Sequence, residues 1–596
     1  MFNRKTIVIL LVSAFLAINT CVAQTLEDDW NNFLHYTKIG RLNLAKGYAQ
    51  AVLDGNPDPL ELLALADANP EGYAILLKVN DAAPDAELAE LTAKILAVIE
   101  QGKFLRRSDP KIIGEEIRRL SSTERGRLTA VKRLQNAGEY AIVYMLDALA
   151  DDSRKEEFPN IVWALPQIGR PAITPLVAAL QTDNVAVKSE TIRALGKIGY
   201  PQSLAYLKYI VEKEESTELK TLAEQSITEI DPAAAQAPAA DLFFQLAEKY
   251  YYHAESLAPP EDVNFANIWF WDKEGRRLTR QEVDKRYFNE LMAMRCCEWA
   301  LKANADFGQA IGLWLAAFSK AEETGIAMPP YFDKTHPDAM TYAKTAGPEY
   351  LHQALSRALA DKDAHIALCM VEALATNAGE KSLLQHVGPA QPLVQALFFD
   401  DRAVRYSAAI ALAMAGPRNP FPESKLVTEN LTHALGRTGR PGEAAENWSK
   451  EQADSYALRA AEAMLQLAVT RNPVIDLSAA LETLINATKD EQTNIRVLAA
   501  RILARLEGPD AQRAIAAMAL TDKNPMDIRI SAFESLAISA KLNANLLDDE
   551  KINDIYSLVS SQDTAPELRS AAAAAYGSLN LPSQKVKDLI LDQARS

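Results

Sequence analysis

The chain has 596 residues, of which 48% are hydrophobic and 24% are charged, which is typical of a folded globular protein and excludes a long disordered chain. Its formal net charge is −16 at pH 7. This charge argues against nucleic acid as a partner, because binding a polyanion requires clustered lysines and arginines. Alanine-rich and leucine-rich runs with few β-branched stretches favour helix.

A secretory signal peptide is predicted at residues 1–23. Arg4-Lys5 precedes an apolar run over 6–18, and Cys21-Val22-Ala23 offers small residues to signal peptidase. An uncleaved membrane anchor is the alternative, although this run is shorter than the roughly 20 residues that span a bilayer. Lipid attachment through Cys21 is disfavoured because Asn19-Thr20 fits the required small-residue pattern poorly. We expect an exported, periplasmic or extracellular protein without a transmembrane segment after cleavage.

Helical hairpins are predicted over 24–125, where apolar residues recur at helical spacing around a turn at Asn56-Pro57-Asp58-Pro59. From 126 to 232 a phrase of about 30 residues repeats. Val187-Lys188 is followed seven residues later by Ala194-Leu195, and a glycine then ends the helix. Asp183-Asn184 and Asp400-Asp401 lie just before two of these helices, where a short side chain can cap free backbone N–H groups. The apolar-basic pair recurs at Leu219-Lys220, Val404-Arg405, Ile495-Arg496, Ile528-Arg529 and Leu568-Arg569. A helical unit repeated at a fixed period predicts a solenoid.

The phrase from Asp183 to Gly199, which returns from Asp400 to Gly416, resembles the HEAT-repeat family, in particular the bacterial HEAT-like repeats of phycobilisome lyases. The resemblance covers 126–232 and most of 346–596. It implies an all-α superhelix of stacked helical hairpins in which the aspartate and the basic residue have structural roles. Within 346–596 a polar loop is predicted at 416–453.

The central section, 233–345, is rich in aromatic residues, and a hairpin near 298–314 resembles a degenerate tetratricopeptide repeat inserted into the solenoid. Trp269 and Trp271 would share one face of an extended strand. If exposed, these and Trp299 and Trp314 could bind a ligand or partner. If buried, they would instead pack between neighbouring helices and hold them together.

A glycine-rich segment, 436–442, carries Arg437 and Arg440, which could wrap an anion, although a plain loop between repeats explains the same residues. No phosphate-binding loop, H-E-x-x-H or nucleophile-elbow motif is present, and the seven histidines are dispersed. The cysteines left after cleavage, Cys296, Cys297 and Cys369, are odd in number and show no C-x-x-C spacing. We predict no catalytic residue, cofactor or metal site.

The predicted function is therefore an exported, non-catalytic scaffold that binds other proteins. Two alternatives remain: a glycan- or small-ligand-binding module built on the central aromatics, and a lyase-type enzyme. Fold alone does not choose among them.

Export gives the first testable prediction. Mature protein from the producing cell should begin at Gln24, because cleavage after Ala23 removes the signal. N-terminal sequencing checks this, with a chain carrying Ala23→Leu as the control that should be processed poorly. A mature protein that still carries residues 1–23 would contradict the prediction.

Overall fold

The computed structural model describes residues 25–591 apart from 83–84, 260–262, 333, 378, 441–447, 583, 585–586 and 588–589. The predicted signal peptide therefore lies outside the described residues. Across the part that is described, no helix is long and apolar enough to cross a membrane. The fold is an all-α solenoid, as predicted.

The chain divides into two compact units. The first comprises Met1–Leu242 and Pro259–Val283, and the second comprises Phe243–Ala258 and Asp284–Ser596. The first unit contains thirteen helices within its described residues: α1 Leu26–Lys38, α2 Leu42–Asp54, α3 Pro59–Ala68, α4 Pro70–Ala82, α5 Ala86–Ser108, α6 Pro110–Arg119, α7 Glu124–Ala137, α8 Glu139–Ala150, α9 Phe158–Ala164, α10 Ile173–Ala179, α11 Val185–Ile198, α12 Leu204–Lys213 and α13 Thr217–Ile230. Helix α14, Ala239–Tyr251, contains the division at Leu242 and Phe243.

A β-hairpin follows, with strand β1 at Phe265–Asp272 paired to strand β2 at Arg277–Asp284. The helices of the second unit are α15 Phe288–Ala303, α16 Gln309–Glu323, α17 Ala339–Thr345, α18 Pro348–Asp361, α19 Ala364–Asn377, α20 Glu380–Leu383, α21 Pro392–Ala396, α22 Arg402–Ala415, α23 Ser424–Leu435, α24 Lys450–Thr470, α25 Leu481–Ala487, α26 Thr493–Leu503, α27 Pro509–Leu520, α28 Met526–Asn543, α29 Asp549–Ser560 and α30 Pro566–Ser578.

The repeated helix begins and ends as the sequence predicts. The Asn184 side chain accepts the Val187 backbone N–H at 3.2 Å and caps α11. Asp401 caps α22 through the Val404 N–H in the same way. Gly199 ends α11 in the left-handed conformation, with a φ of 76° that a side chain would make costly.

Two segments differ from the prediction. The polar segment 416–453, predicted as a loop, contains helix α23 because Val427, Leu431 and Leu435 recur on one buried face. The central section, predicted as helical, contains the β-hairpin at 265–284 within it. Helices α15 and α16 do pack against each other where the tetratricopeptide hairpin was predicted. Their membership of that repeat class stays a prediction.

The two residues of the apolar-basic pair have different roles, because the apolar one packs in the core and the basic one contacts a turn. The apolar members Val187 and Val404 are buried, and Leu195 is fully buried. The basic member of the second pair, Arg405, is 1% exposed and donates to the Phe399 and Asp400 carbonyls at 3.0 and 2.6 Å, which ties α22 to the turn before it.

Three other basic members also contact groups within the fold. Lys188 pairs with Glu214 at 2.8 Å, and Arg529 donates to the Ala519 carbonyl at 2.9 Å. Arg569 donates to backbone carbonyls of its own preceding turn. These contacts support the structural role that the resemblance implies.

Replacing Leu195 with aspartate should destabilise the first unit by roughly 4 kcal/mol or more, because it places an unpaired carboxylate in the core. Thermal unfolding followed by circular dichroism measures the loss. The control is Ala186→Asp in the first turn of the same helix, where the side chain is exposed and an acidic group is tolerated. Equal melting temperatures for the two variants would show that the register is wrong.

Candidate functional site

The candidate tryptophan Trp269 lies inside the first unit. Its side chain is 4% exposed, and its indole N–H donates to Glu139 Oε2 at 2.6 Å. Asn267 of the same strand donates to Glu139 Oε1 at 2.6 Å and to the Tyr140 hydroxyl at 2.7 Å. Both carboxylate oxygens are therefore engaged by β1. We call Glu139, Tyr140, Asn267, Trp269 and Arg280 the hairpin lock.

Arg280 of β2 completes the hairpin lock. One of its guanidinium nitrogens donates to Asn267 Oδ1 at 2.8 Å, and the group lies 5.0 Å from the centre of the Tyr140 ring. It also pairs with Glu282. A cation over an aromatic face and a charge-assisted hydrogen bond both favour this arrangement. The lock fixes the hairpin to the start of α8.

Burial dominates the electrostatics of the lock. It raises the pKa of the Glu139 carboxyl, while the hydrogen bonds from Trp269 and Asn267 and the charges of Arg280 and Arg107 act in the opposite direction. Burial and the nearby Glu139 charge also raise the pKa of Tyr140 to about 12. Glu139 stands at the first position of α8, where the helix dipole favours an anion. The arrangement is suited to holding a strand rather than to transferring a proton, because both carboxylate oxygens already accept hydrogen bonds.

The other candidate tryptophans are half-buried. Trp271 lies on β1 two residues beyond Trp269. In the second unit, Trp299 stacks on Phe243 at a centroid distance of 5.8 Å, and the Lys302 ammonium lies over the Trp299 ring, 4.6 Å from its centre. Trp314 packs edge-on against Phe318 at 5.2 Å. Trp299 therefore joins α15 to α14, and Trp314 joins α16 to α17 through the Tyr342 ring at 5.2 Å.

The two candidate arginines bind groups of the protein itself. Arg437 pairs with Asp454 at 2.5 Å and Asp490 at 2.6 Å, and these hydrogen bonds raise its pKa. Arg440 donates to the Leu397 and Phe398 carbonyls at 2.9 and 3.2 Å. Neither guanidinium is therefore held open for an anion by this loop, of which residues 441–447 lie outside the described chain.

A second buried carboxylate was not among the predicted site residues. Glu290 is 2% exposed, and its Oε1 lies 2.5 Å from His253 Nε2 and 3.7 Å from Lys320 Nζ. His253 has a φ of 51° at the end of α14, a position that glycine would occupy at lower cost. Nothing in the sequence indicates this contact, because a histidine and a glutamate 37 residues apart form no recognisable motif. In the described part of the chain, no three His, Cys, Asp or Glu side chains converge as a metal-binding group.

The architecture places the protein in the class of α-solenoids built from HEAT-like helical pairs. A family model described as HEAT repeats matches residues 142–228, which span helices from α8 to α13. The match is confined to this part of the first unit. No curated protein matches the chain.

Several solved structures are similar at low identity. An engineered protein is 15% identical over 79% of this chain and 99% of its own, with a TM-score of 0.29. Kap95p, solved with RanGDP, is 13% identical over 87% of this chain and 69% of its own, with a TM-score of 0.26. The karyopherin Kap121p, bound to the C-terminus of Cdc14p, is 14% identical over 86% of this chain and 52% of its own, with a TM-score of 0.24.

The hairpin lock yields a prediction with a pH dependence. Trp269→Phe should cost roughly 1–3 kcal/mol at neutral pH, because one oxygen of a buried carboxylate loses its donor. Since the pKa of Glu139 is raised in the folded state, the folded protein takes up this proton before the unfolded chain does as the pH falls. The loss of stability caused by Trp269→Phe should therefore become smaller as the pH falls, because the Glu139 carboxyl is then neutral.

Melting temperatures of wild type and variant across mildly acidic to neutral pH measure this difference. Trp163→Phe is the matched control, because Trp163 lies in the same unit and is 44% exposed. A Trp269→Phe loss that stays constant across this pH range would contradict the assignment of the effect to the Glu139 charge.

Proposed function

We propose that this protein is an exported, non-catalytic scaffold that binds other proteins along its stacked helices. The observation that carries the proposal is a row of helices in the second unit, α19, α22, α24, α26, α28 and α30, in which each helix packs against the next. Helices that pack in series leave their outer faces side by side, and such a surface suits an extended partner.

The basic residues of the repeat support this interpretation by being engaged within the fold. Arg405 and Arg569 donate to backbone carbonyls of the turns before their helices, and Arg529 donates to the Ala519 carbonyl at the end of α27. These arginines stabilise the fold from within, so their recurrence does not by itself indicate a catalytic or anion-binding role. Partner recognition then falls to the side chains that differ from one repeat to the next.

The ligand-binding alternative is less well supported. It required exposed central aromatics, whereas Trp269 is buried and donates to Glu139, and Trp299 and Trp314 are half-buried against neighbouring rings. The enzyme alternative would require a reactive group open to a substrate. Glu139 has a raised pKa, but both of its oxygens accept hydrogen bonds from β1.

Cross-linking in the producing cell tests the scaffold proposal. The mature chain should be recovered with one or more specific proteins, with cross-links that map to the outer faces of the helix row. An exported protein of unrelated fold and similar acidity serves as the control, since it reports nonspecific capture. Recovery of the same proteins with the control, or of none with this chain, would refute the scaffold function.

A further inference from the structure

A line of three exposed side chains runs across successive repeats of the first unit. Lys132 on α7, Trp163 on α9 and Arg193 on α11 each stand six residues before a glycine, Gly138, Gly169 and Gly199 respectively. They therefore occupy the corresponding position of three consecutive repeats, and all three are exposed. We call this line the Lys132–Trp163–Arg193 ladder.

Trp163 is unusual among the tryptophans. All seven lie at described positions, and Trp163 is the only exposed one, at 44%. The guanidinium of Arg127 lies 5.3 Å from the centre of its ring, and Arg127 also reaches Asn160 Oδ1 at 3.4 Å. These contacts on α7 and α9 hold the indole in place with one side facing solvent. Tryptophan and arginine are among the residue types most enriched at interface hot spots.

The surroundings of Trp163 are basic in a chain of net charge −16. Helix α7 carries four basic residues and one acidic residue. Arg133 pairs with Glu116 at 2.6 Å, whereas Arg125 and Lys132 are exposed and have no ion-pair partner within 4.0 Å among the described residues. On α11, Arg193 pairs with Glu190 of its own helix, an exposed contact that a partner can displace at little cost. The patch is thus complementary to an acidic partner.

We propose that the Lys132–Trp163–Arg193 ladder binds an extended acidic peptide with one large apolar residue at its centre. The proposal rests on the scaffold function and names the class of partner. The turn Leu165–Ile168, which continues α9, packs against both α7 and α11. Packed helices lie about 8–10 Å apart, so the two cationic groups flank the indole at about that spacing. A polyproline II strand repeats every three residues with a rise of about 3.1 Å each, which places positions i, i+3 and i+6 on one face about 9 Å apart. The matching segment is acidic-x-x-aromatic-x-x-acidic.

Synthetic peptides test the spacing directly. The probe is fluorescein-labelled Glu-Pro-Pro-Phe-Pro-Pro-Glu, and the control is Phe-Pro-Pro-Glu-Glu-Pro-Pro, which has the same composition and charge. Fluorescence anisotropy with the full mature chain should show tighter binding of the spaced peptide. Equal binding of the two peptides would overturn the proposal, and so would a failure of the spaced peptide to bind.

Variants assign the binding to named side chains. Trp163→Ala should weaken binding of the spaced peptide by about thirtyfold, as expected for an aromatic hot spot. Lys132→Glu should weaken it and reduce its salt dependence, because one ion pair is reversed. The matched controls are Tyr200→Ala, which removes another exposed aromatic of the first unit, and Lys78→Glu on α4; both should bind as wild type. Unchanged binding by Trp163→Ala would overturn the proposal.

The same variants separate this proposal from the scaffold function. If the wild-type chain and Trp163→Ala are cross-linked to the same proteins in equal amounts, the scaffold stands and the ladder is refuted as its recognition site. If the wild-type chain captures no protein yet binds the spaced peptide through Trp163, the scaffold function fails and the ladder stands.

Discussion

Burial of one helix against the next is the constraint on which the rest of this structure depends. No helical pair can cover its own apolar face, so each unit is stable only as a stack. Leu195 shows the consequence, because it is fully buried although its helix has solvent on the opposite side. Each added repeat buries apolar surface worth roughly 25 cal/mol per Å² and extends the surface without a new core.

Stacking leaves the turns between helices to be held by polar contacts, and the basic member of the repeated pair does this. A buried guanidinium is costly unless its donors are satisfied. Arg405 offsets part of this cost, because one of its terminal nitrogens donates to the Phe399 and Asp400 carbonyls just before α22. The charge of Arg405 therefore serves to hold the turn before α22. The repeated basic residue does not by itself indicate a binding role.

The β-hairpin is a departure from this plan and depends on a different balance. Its strand β1 carries apolar residues that no helical periodicity explains, and it is held by a carboxylate at the start of α8. The desolvation of Glu139 opposes this contact, whereas the Trp269 and Asn267 donors and the Arg280 charge favour it. These favourable contacts form together when the hairpin docks, because Trp269, Asn267 and Arg280 all lie on it. Such a buried network fixes a single docking position more strictly than apolar contact alone.

Sequence periodicity by itself determined the solenoid, the register of Val187 and Leu195, and the caps at Asn184 and Asp401, because these depend on neighbours within one or two helical turns. It did not determine the hairpin at 265–284 or the burial of Trp269, which depend on partners more than a hundred residues away, such as Glu139. Helix α23 was also missed, although its apolar residues recur at helical spacing, because the segment around it is polar. It also could not tell that Trp163 is exposed, since the repeat fixes which face a position occupies but only the packed stack decides what covers that face. Local pattern therefore specified the repeating unit, and tertiary packing decided which of its side chains remain available to a partner.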